Sequence, residues 1–272
     1  MIRVLLAGIL FVSSFAAGAE AQNSGLRRLT DRDDLLGWEA VGRLDIANGG
    51  FCTGTLIAPD LVLTAAHCAL DRRTGRPFAP GEVMFRAGLR DGKSVADRQV
   101  SQIVAHPDFV ANAPVSAERV RVDVALMRLE QPVSIAEADP FVLFSGSLSD
   151  GEVSGASYGR GREEAISRQR SCRILDRRQG IIAFDCYVTF GSSGSAIMAK
   201  SGARWQILSV VSAGGNIDGK PVGFGMELPR IVAELKAMLR RDAPQPQATI
   251  RRLQVGTGKS GSGAKFIRSG GS

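Results

Sequence analysis

Histidine is nearly absent from this chain: 272 residues contain two, His67 and His106. The four cysteines, Cys52, Cys68, Cys172 and Cys186, do not fall in close pairs. Together these scarcities argue against a zinc site built on paired cysteines and histidines. After the first 21 residues, no stretch approaches the ~20 apolar residues that a membrane-spanning helix needs. Net charge is also scarce through most of the chain. The formal charge of +7 is concentrated in Arg251–Ser272, which has five Lys or Arg and no acid, leaving +2 for residues 22–242. The body is therefore almost neutral. The basic end reads as a solvated tail, with a weak electrostatic contact to an anionic surface as its alternative role. Nothing in the pattern suggests a nucleic-acid-binding fold.

The first 21 residues have the organisation of an export signal. Arg3 supplies the charged start, Val4–Ala17 the apolar stretch and Ala19-Glu20-Ala21 a small-x-small cleavage site, so that Gln22 would be first after removal. An uncleaved amino-terminal anchor is the alternative. The leader has no cysteine, which implies no lipid anchor. A secreted or periplasmic monomer is the expectation. Residues 22–37 are polar and aperiodic, either a pro-segment or an ordered arm. Residues 243–272, rich in Pro, Gln, Gly and Ser, cannot bury enough apolar surface to order themselves.

The chemistry-bearing residues lie in three separate segments. His67 sits in Leu63-Thr64-Ala65-Ala66-His67-Cys68, and Ser193 in Gly191-Ser192-Ser193-Gly194-Ser195. A serine hydroxyl is a weak nucleophile at neutral pH and needs a base with a pKa near 7 beside it, which histidine supplies. The imidazole in turn needs a carboxylate to fix its tautomer. Asp123 is the candidate, an acid interrupting the apolar run Val122–Leu129, where a carboxylate is costly without a partner. A structural ion pair with Arg119 or Arg121 is its other reading. Gly191 and Gly194 permit a tight turn in which the amides of Gly191 and Ser193 face a developing oxyanion. His106 precedes Pro107 at an apparent turn and reads as a loop histidine.

His67, Asp123 and Ser193, in that order along the chain, resemble the trypsin and chymotrypsin family of serine peptidases. The likeness runs from about Trp38 to about Arg241 and includes Gly54-Thr55-Leu56-Ile57 and Ser212-Ala213-Gly214-Gly215. The order excludes the α/β-hydrolase pattern, in which serine comes first and histidine last. Family membership implies His67, Asp123 and Ser193 as catalytic residues, Gly191 and Ser193 as the oxyanion hole, and Ser212, Ala213 and Gly214 as a strand for substrate backbone. It implies a secreted endopeptidase acting on proteins or peptides through an acyl-enzyme, with no cofactor and no metal. A catalytically silent binding protein and an esterase are the alternatives.

Several positions depart from the family's trypsin branch. Ser192 stands where those enzymes carry the aspartate that receives a freed amino terminus, and no Ile-Val-Gly-Gly type of start precedes Trp38. The Gly-x-Ser-Gly-Ser loop looks more like bacterial relatives, including the glutamyl endopeptidase branch. Tyr187 occupies the position of trypsin's pocket aspartate, and neither Val211 nor Ser212 is the histidine that glutamyl endopeptidases use. Asp185 is not placed in the pocket. Ala213 lacks the aromatic ring expected there, and Gly214 with Gly223 is expected to leave room for a large side chain.

Four cysteines in an exported chain allow three pairings. Cys52 with Cys68 is favoured because it joins a strand to the turn carrying His67, closing a loop of about 15 residues for roughly 3 kcal/mol. Cys172 with Cys186 is then the second bridge. Short apolar runs punctuated by Gly, Pro, Asn and Asp predict antiparallel strands. One group is 51–58, 61–65, 82–87, 100–105 and 122–129; the other is 152–158, 171–175, 180–187, 196–199, 205–212 and 222–228. The arginines of 168–178 read as a solvated loop. The expected fold is all-β: two antiparallel six-stranded barrels over 38–137 and 138–242, the active site between them. A helix over Pro229–Arg241 is expected to pack on the second barrel.

Overall fold

Alternation of inward and outward side chains builds most of the molecule. In the computed structural model, which describes residues 25–47, 50–146, 148 and 151–242, strand β5 (Val83–Ala87) buries Val83, Phe85 and Ala87 and turns Met84 and Arg86 outward. It belongs to a closed barrel with β2 (Val41–Ile46), β3 (Gly50–Ala58), β4 (Leu61–Thr64), β6 (Ala96–Ala105) and β7 (Ala125–Leu129), in the order β2-β3-β4-β7-β6-β5. Pairing of Gly42 with Ala87 and Ile46 with Val83 closes it. Closure leaves no exposed edge. β2 was not among the expected strands, because Gly42, Arg43 and Asp45 interrupt its apolar pattern.

A second closed barrel comprises β8 (Gly151–Gly159), β9 (Arg162–Arg178), β10 (Ile181–Phe184), β13 (Lys220–Met226), β12 (Arg204–Ile217) and β11 (Ala196–Ser201), with β11 returning to β8 through Ile197 and Gly155. The protein thus has two six-stranded antiparallel barrels. A short strand β1 (Leu26–Arg28), followed by the short helix α1 (Arg32–Leu35), adds to β9, pairing Leu26 with Gln169, so part of the 22–37 segment is ordered against the second barrel. The proposed signal (1–21) and the basic tail (243–272) lie outside the described residues.

Two expectations are corrected. Residues 168–178 are not a solvated loop: they continue β9, a strand of 17 residues. Arg168 lies over the faces of Trp38 and Trp205, 4.2 and 5.1 Å from the ring centroids, and its Nε donates to Ser154 Oγ at 3.1 Å. Burial, with the charge of Arg170, pushes its guanidinium down to about 10. The arginine is a packed side chain whose charge rests on two indoles. The helix α3 (Pro229–Arg241) forms as expected, burying Ile231, Val232, Leu235 and Leu239, but it packs on β6 and β7 of the first barrel. Gln102 Nε2 donates to Leu239 O at 3.2 Å there. The second barrel fills its interior with Val153, Ile174, Ile182, Phe184, Ile197, Leu208 and Val211 and has no need of the helix. The helical stripe joins the larger cluster that fills the first barrel and crosses the interface.

β8 abuts β2 and β3, and Tyr158 is the pivot of that contact. Its phenol is fully buried and donates to Leu89 O at 3.0 Å, while its backbone N–H donates to Thr53 Oγ1 at 3.0 Å. Desolvation holds its pKa well above the ordinary phenol value, so it stays a neutral donor.

Replacing Arg168 by alanine should cost about 1–2 kcal/mol in denaturant unfolding, through lost stacking on both indoles. A solvated-loop arginine would give a change within about 0.5 kcal/mol.

Candidate active site

Asp123 is fully buried, with three donors on its carboxylate. His67 approaches twice, through its backbone N–H to Oδ1 at 2.9 Å and its Nδ1 to Oδ2 at 2.7 Å, and Ser212 Oγ donates to Oδ2 at 2.6 Å. With Nδ1 facing a carboxylate, the fitting tautomer is Nδ1–H, which leaves Nε2 as a proton acceptor. Burial alone would raise the Asp123 pKa, but the bonds and charge of His67, with the bond from Ser212, outweigh it and hold the carboxyl below its ordinary value.

Local sequence explains how these groups arrive. Ser116 caps the short helix α2 (Ala117–Arg121), its Oγ accepting from Arg119 N at 3.2 Å. Asp123 N–H then donates to Val120 O at 3.3 Å, so Asp123 lies in the turn between α2 and β7, not inside a strand as expected. Neither alternative partner reaches it. Arg119 extends over Phe109, 4.5 Å from the ring centroid, and Arg121 donates to Gln179 O at 2.6 Å. His67 occupies a single 3-10 turn (Ala66–Cys68) after β4, and the Cys52–Cys68 disulfide ties that turn to β3. Cys172 is joined to Cys186, which links β9 to the segment leading to Ser193. The sulfurs of Cys52 and Cys68 lie close to the imidazole, but their bond to each other leaves no thiolate for a metal.

The serine loop is fastened to the first barrel. Thr53 N–H donates to Ser193 O at 2.9 Å, and Thr53 Oγ1 donates to Gly191 O at 2.8 Å. Thr64 Oγ1 in turn donates to Thr53 O at 2.9 Å. Gly194 has φ +79°, and a Cβ there would stand 2.1 Å from Thr64 Oγ1 and 3.0 Å from Ala65 N, two residues before His67. Gly191 has φ +88° and would strike the Phe51 ring at 2.2 Å. Both glycines are therefore demanded by conformation and close approach. Among the described residues, the N–H groups of Gly191 and Ser193 have no acceptor, whereas those of Ser192, Gly194 and Ser195 donate to Thr189 O, Val211 O and Ser192 O. Ser193 is partly exposed, and among the described residues its Oγ makes no hydrogen bond, so the imidazole and carboxylate are joined directly while the hydroxyl is not bonded to the ring. His106 is elsewhere, its Nδ1 accepting from Asp108 N at 3.2 Å.

Ser212, Ala213 and Gly214 lie on β12. From Ala213 to Ile217 the strand pairs with β13 on one side, and β11 reaches only to Val210 on the other. A backbone edge is thus open beside the serine loop. Beyond it, a groove of about 710 Å³ is lined by Val115, Val120, Leu175, Ile217, Val222 and Phe224 together with the charged Arg121, Asp176, Arg178, Asp218 and Lys220. A Cβ on Gly214 would stand 2.9 Å from Val188 Cγ2 and one on Gly223 2.2 Å from the buried Phe184 ring, so neither position has room for a side chain of its own. Tyr187 is partly exposed, and Asp185 holds the backbone N–H and Nε of Arg173 at 2.5 and 3.4 Å. Thr53 carried no signal in the sequence. Ser212 was expected only as part of the substrate strand, and its bond to Asp123 adds a second role.

Comparisons with known proteins agree with this architecture. The trypsin family model matches residues 36–232. A vitellin-degrading protease of Bombyx mori is 28% identical over 151 residues, covering 52% of each chain. Serine protease 23 of Homo sapiens is 25% identical over 241 residues, covering 73% of this chain and 60% of its own. The chain thus spans about half to three-fifths of these relatives' length. A solved Glu endopeptidase, 16% identical, superposes with a TM-score of 0.66 over 81% of this chain and 98% of its own, a likeness of fold. No helix among the described residues is long and apolar enough to cross a membrane.

Because the Asp123 pKa is depressed in the fold, its ionised form stabilises the protein above the unfolded value of about 3.9. That contribution should vanish as pH falls through the lower folded value. Denaturant midpoints taken from about pH 5 to about pH 2 should therefore fall more steeply for wild type than for Asp123→Asn. Parallel slopes would show that the carboxylate is not stabilised by folding.

Proposed function

Because the chain belongs to the trypsin family, we propose that it is a secreted serine endopeptidase with Ser193 as nucleophile. His67 Nε2 takes the hydroxyl proton as Ser193 Oγ bonds to the scissile carbonyl carbon, and the carbonyl oxygen becomes the oxyanion. The unoccupied amides of Gly191 and Ser193 receive it. His67 then gives its proton to the leaving amine, the carbon–nitrogen bond breaks, and an acyl-enzyme remains. Water enters by the same route in reverse, with His67 as base, and frees the acid. Asp123 keeps Nδ1 protonated and stabilises the imidazolium throughout. The steps call for no metal or organic cofactor.

The observation that carries this reading is the buried Asp123–His67 bond, set beside a loop with two free amides. The open edge of Ala213–Ile217 suits an extended peptide added as a strand, and the largely apolar groove beyond, with charged residues in its lining, suits that peptide's side chains. Two disulfides support an oxidising, extracytoplasmic compartment.

An organophosphonate probe should label Ser193 covalently in the folded protein, and a diverse peptide library should be cleaved. Ser193→Ala should lower turnover by about 10⁶ and Asp123→Asn by about 10⁴. Undiminished hydrolysis by Ser193→Ala would contradict the assignment. Cleavage of esters but not of peptides would move it to esterase.

A further inference from the structure

Beneath the serine loop lies a cation that the proposed chemistry does not use. Arg162 opens β9, paired with Gly159 across the turn from β8. Its Nη1 donates to Ser157 O at 2.6 Å, and its Nη2 to Ser157 Oγ at 2.9 Å and to Ser192 Oγ at 2.8 Å. A Cβ on Gly159 would lie 2.6 Å from Nη2, so the guanidinium rests directly on that backbone. Ser192 is 1% exposed, and its hydroxyl also donates to Tyr158 O at 3.3 Å and accepts from Thr189 N at 3.2 Å. Among the described residues no carboxylate lies within ion-pair distance of Arg162, and its buried Nε has no partner.

A partly buried charge without a counter-ion is costly. Desolvation pushes the Arg162 pKa down to about 10, offset in part by Tyr187 and Glu163, and the group remains protonated at neutral pH. A neutral donor would satisfy the same serine oxygens at lower cost, so the charge itself asks for an explanation. Among the described residues, its one hydrogen bond beyond its own hairpin goes to Ser192, the residue between the two free amides. In the trypsin branch the residue at this place is an aspartate held by a freed terminal ammonium. Here the polarity is reversed, with a neutral serine on the loop and the cation supplied from within the chain.

We propose that Arg162 is the positioning residue of the Gly191–Ser193 loop, holding it through Ser192 so that both amides face the cleft without a newly freed amino terminus. The proposal rests on the peptidase reading for its catalytic consequence. A charge-assisted bond of this kind corresponds to a factor of about 10–100 in the population of the aligned loop.

The test compares Arg162→Met, Arg162→Lys and Ser192→Ala in the full chain. Methionine keeps the apolar stem without the fork, lysine keeps the charge, and Ser192→Ala removes the link with almost no change of volume. In Arg162→Met, kcat should fall about 10–100-fold with KM little changed, because aligned amides act on the transition state. Lysine should restore part of that loss, and Ser192→Ala should reproduce its direction. Hydrogen exchange over Gly191–Ser195 should be faster in Arg162→Met and Ser192→Ala than in wild type. Equal kcat and equal exchange would overturn the proposal. If wild type hydrolyses neither peptides nor esters, the peptidase reading fails separately: faster exchange in the variants then upholds the positioning role, and equal exchange overturns it.

Discussion

The architecture depends on one buried carboxylate. Asp123 is fully buried, and its ionised form persists because three donors surround it, two from His67 and one from Ser212. His67 and Asp123 belong to the first barrel and Ser212 to the second, so a single anion ties the barrels together at the cleft. Losing one donor would leave a buried charge short of a partner, a larger penalty than the hydrogen bond alone contributes. The anion therefore restricts both the imidazole tautomer and the relation between the barrels.

Thr53 acts as a second fastener close by. It holds Ser193 O and Gly191 O on one side and accepts from the Tyr158 amide, while its own carbonyl receives the Thr64 hydroxyl. Its side chain and amide are fully satisfied at the barrel interface. Arg162 reaches the same loop through Ser192. The loop is thereby held by neutral bonds from the first barrel and by a charged one from the second, which leaves the amides of Gly191 and Ser193 unbonded. Such pre-arranged donors need no reorganisation when charge develops on a substrate.

Much of this was legible in the sequence where a residue type is chemically irreplaceable. The barrels could be read from alternating apolar runs, and the glycines at 191 and 194 from the turn they must make. What escaped was tertiary. Gly42, Arg43 and Asp45 hid β2, because the close approach of the Phe85 ring puts a glycine at an inward position and the charges at 43 and 45 leave a short run with few apolar residues. The arginines of β9 looked solvated because sequence gives no sign that Trp38 and Trp205 would enclose Arg168. The α3 stripe was evident, but which barrel it covers depends on which interior is already filled. Val122 and Val124 flank Asp123 and read as strand, and the Ser116-capped turn that removes it from the sheet is a weak local signal. Thr53 and Arg162 gain their meaning from residues more than a hundred and about thirty positions away, a relation that single-sequence patterning does not encode.

The scarcity of histidine makes the central claim directly measurable. With His67 and His106 as the only imidazoles, nitrogen-15 NMR of the folded protein at neutral pH resolves their tautomers. His67 should be protonated on Nδ1 and bare on Nε2, with a deshielded Nδ1 proton that disappears in Asp123→Asn. A His67 ring protonated on Nε2, or an Nδ1 proton indifferent to that substitution, would contradict the account.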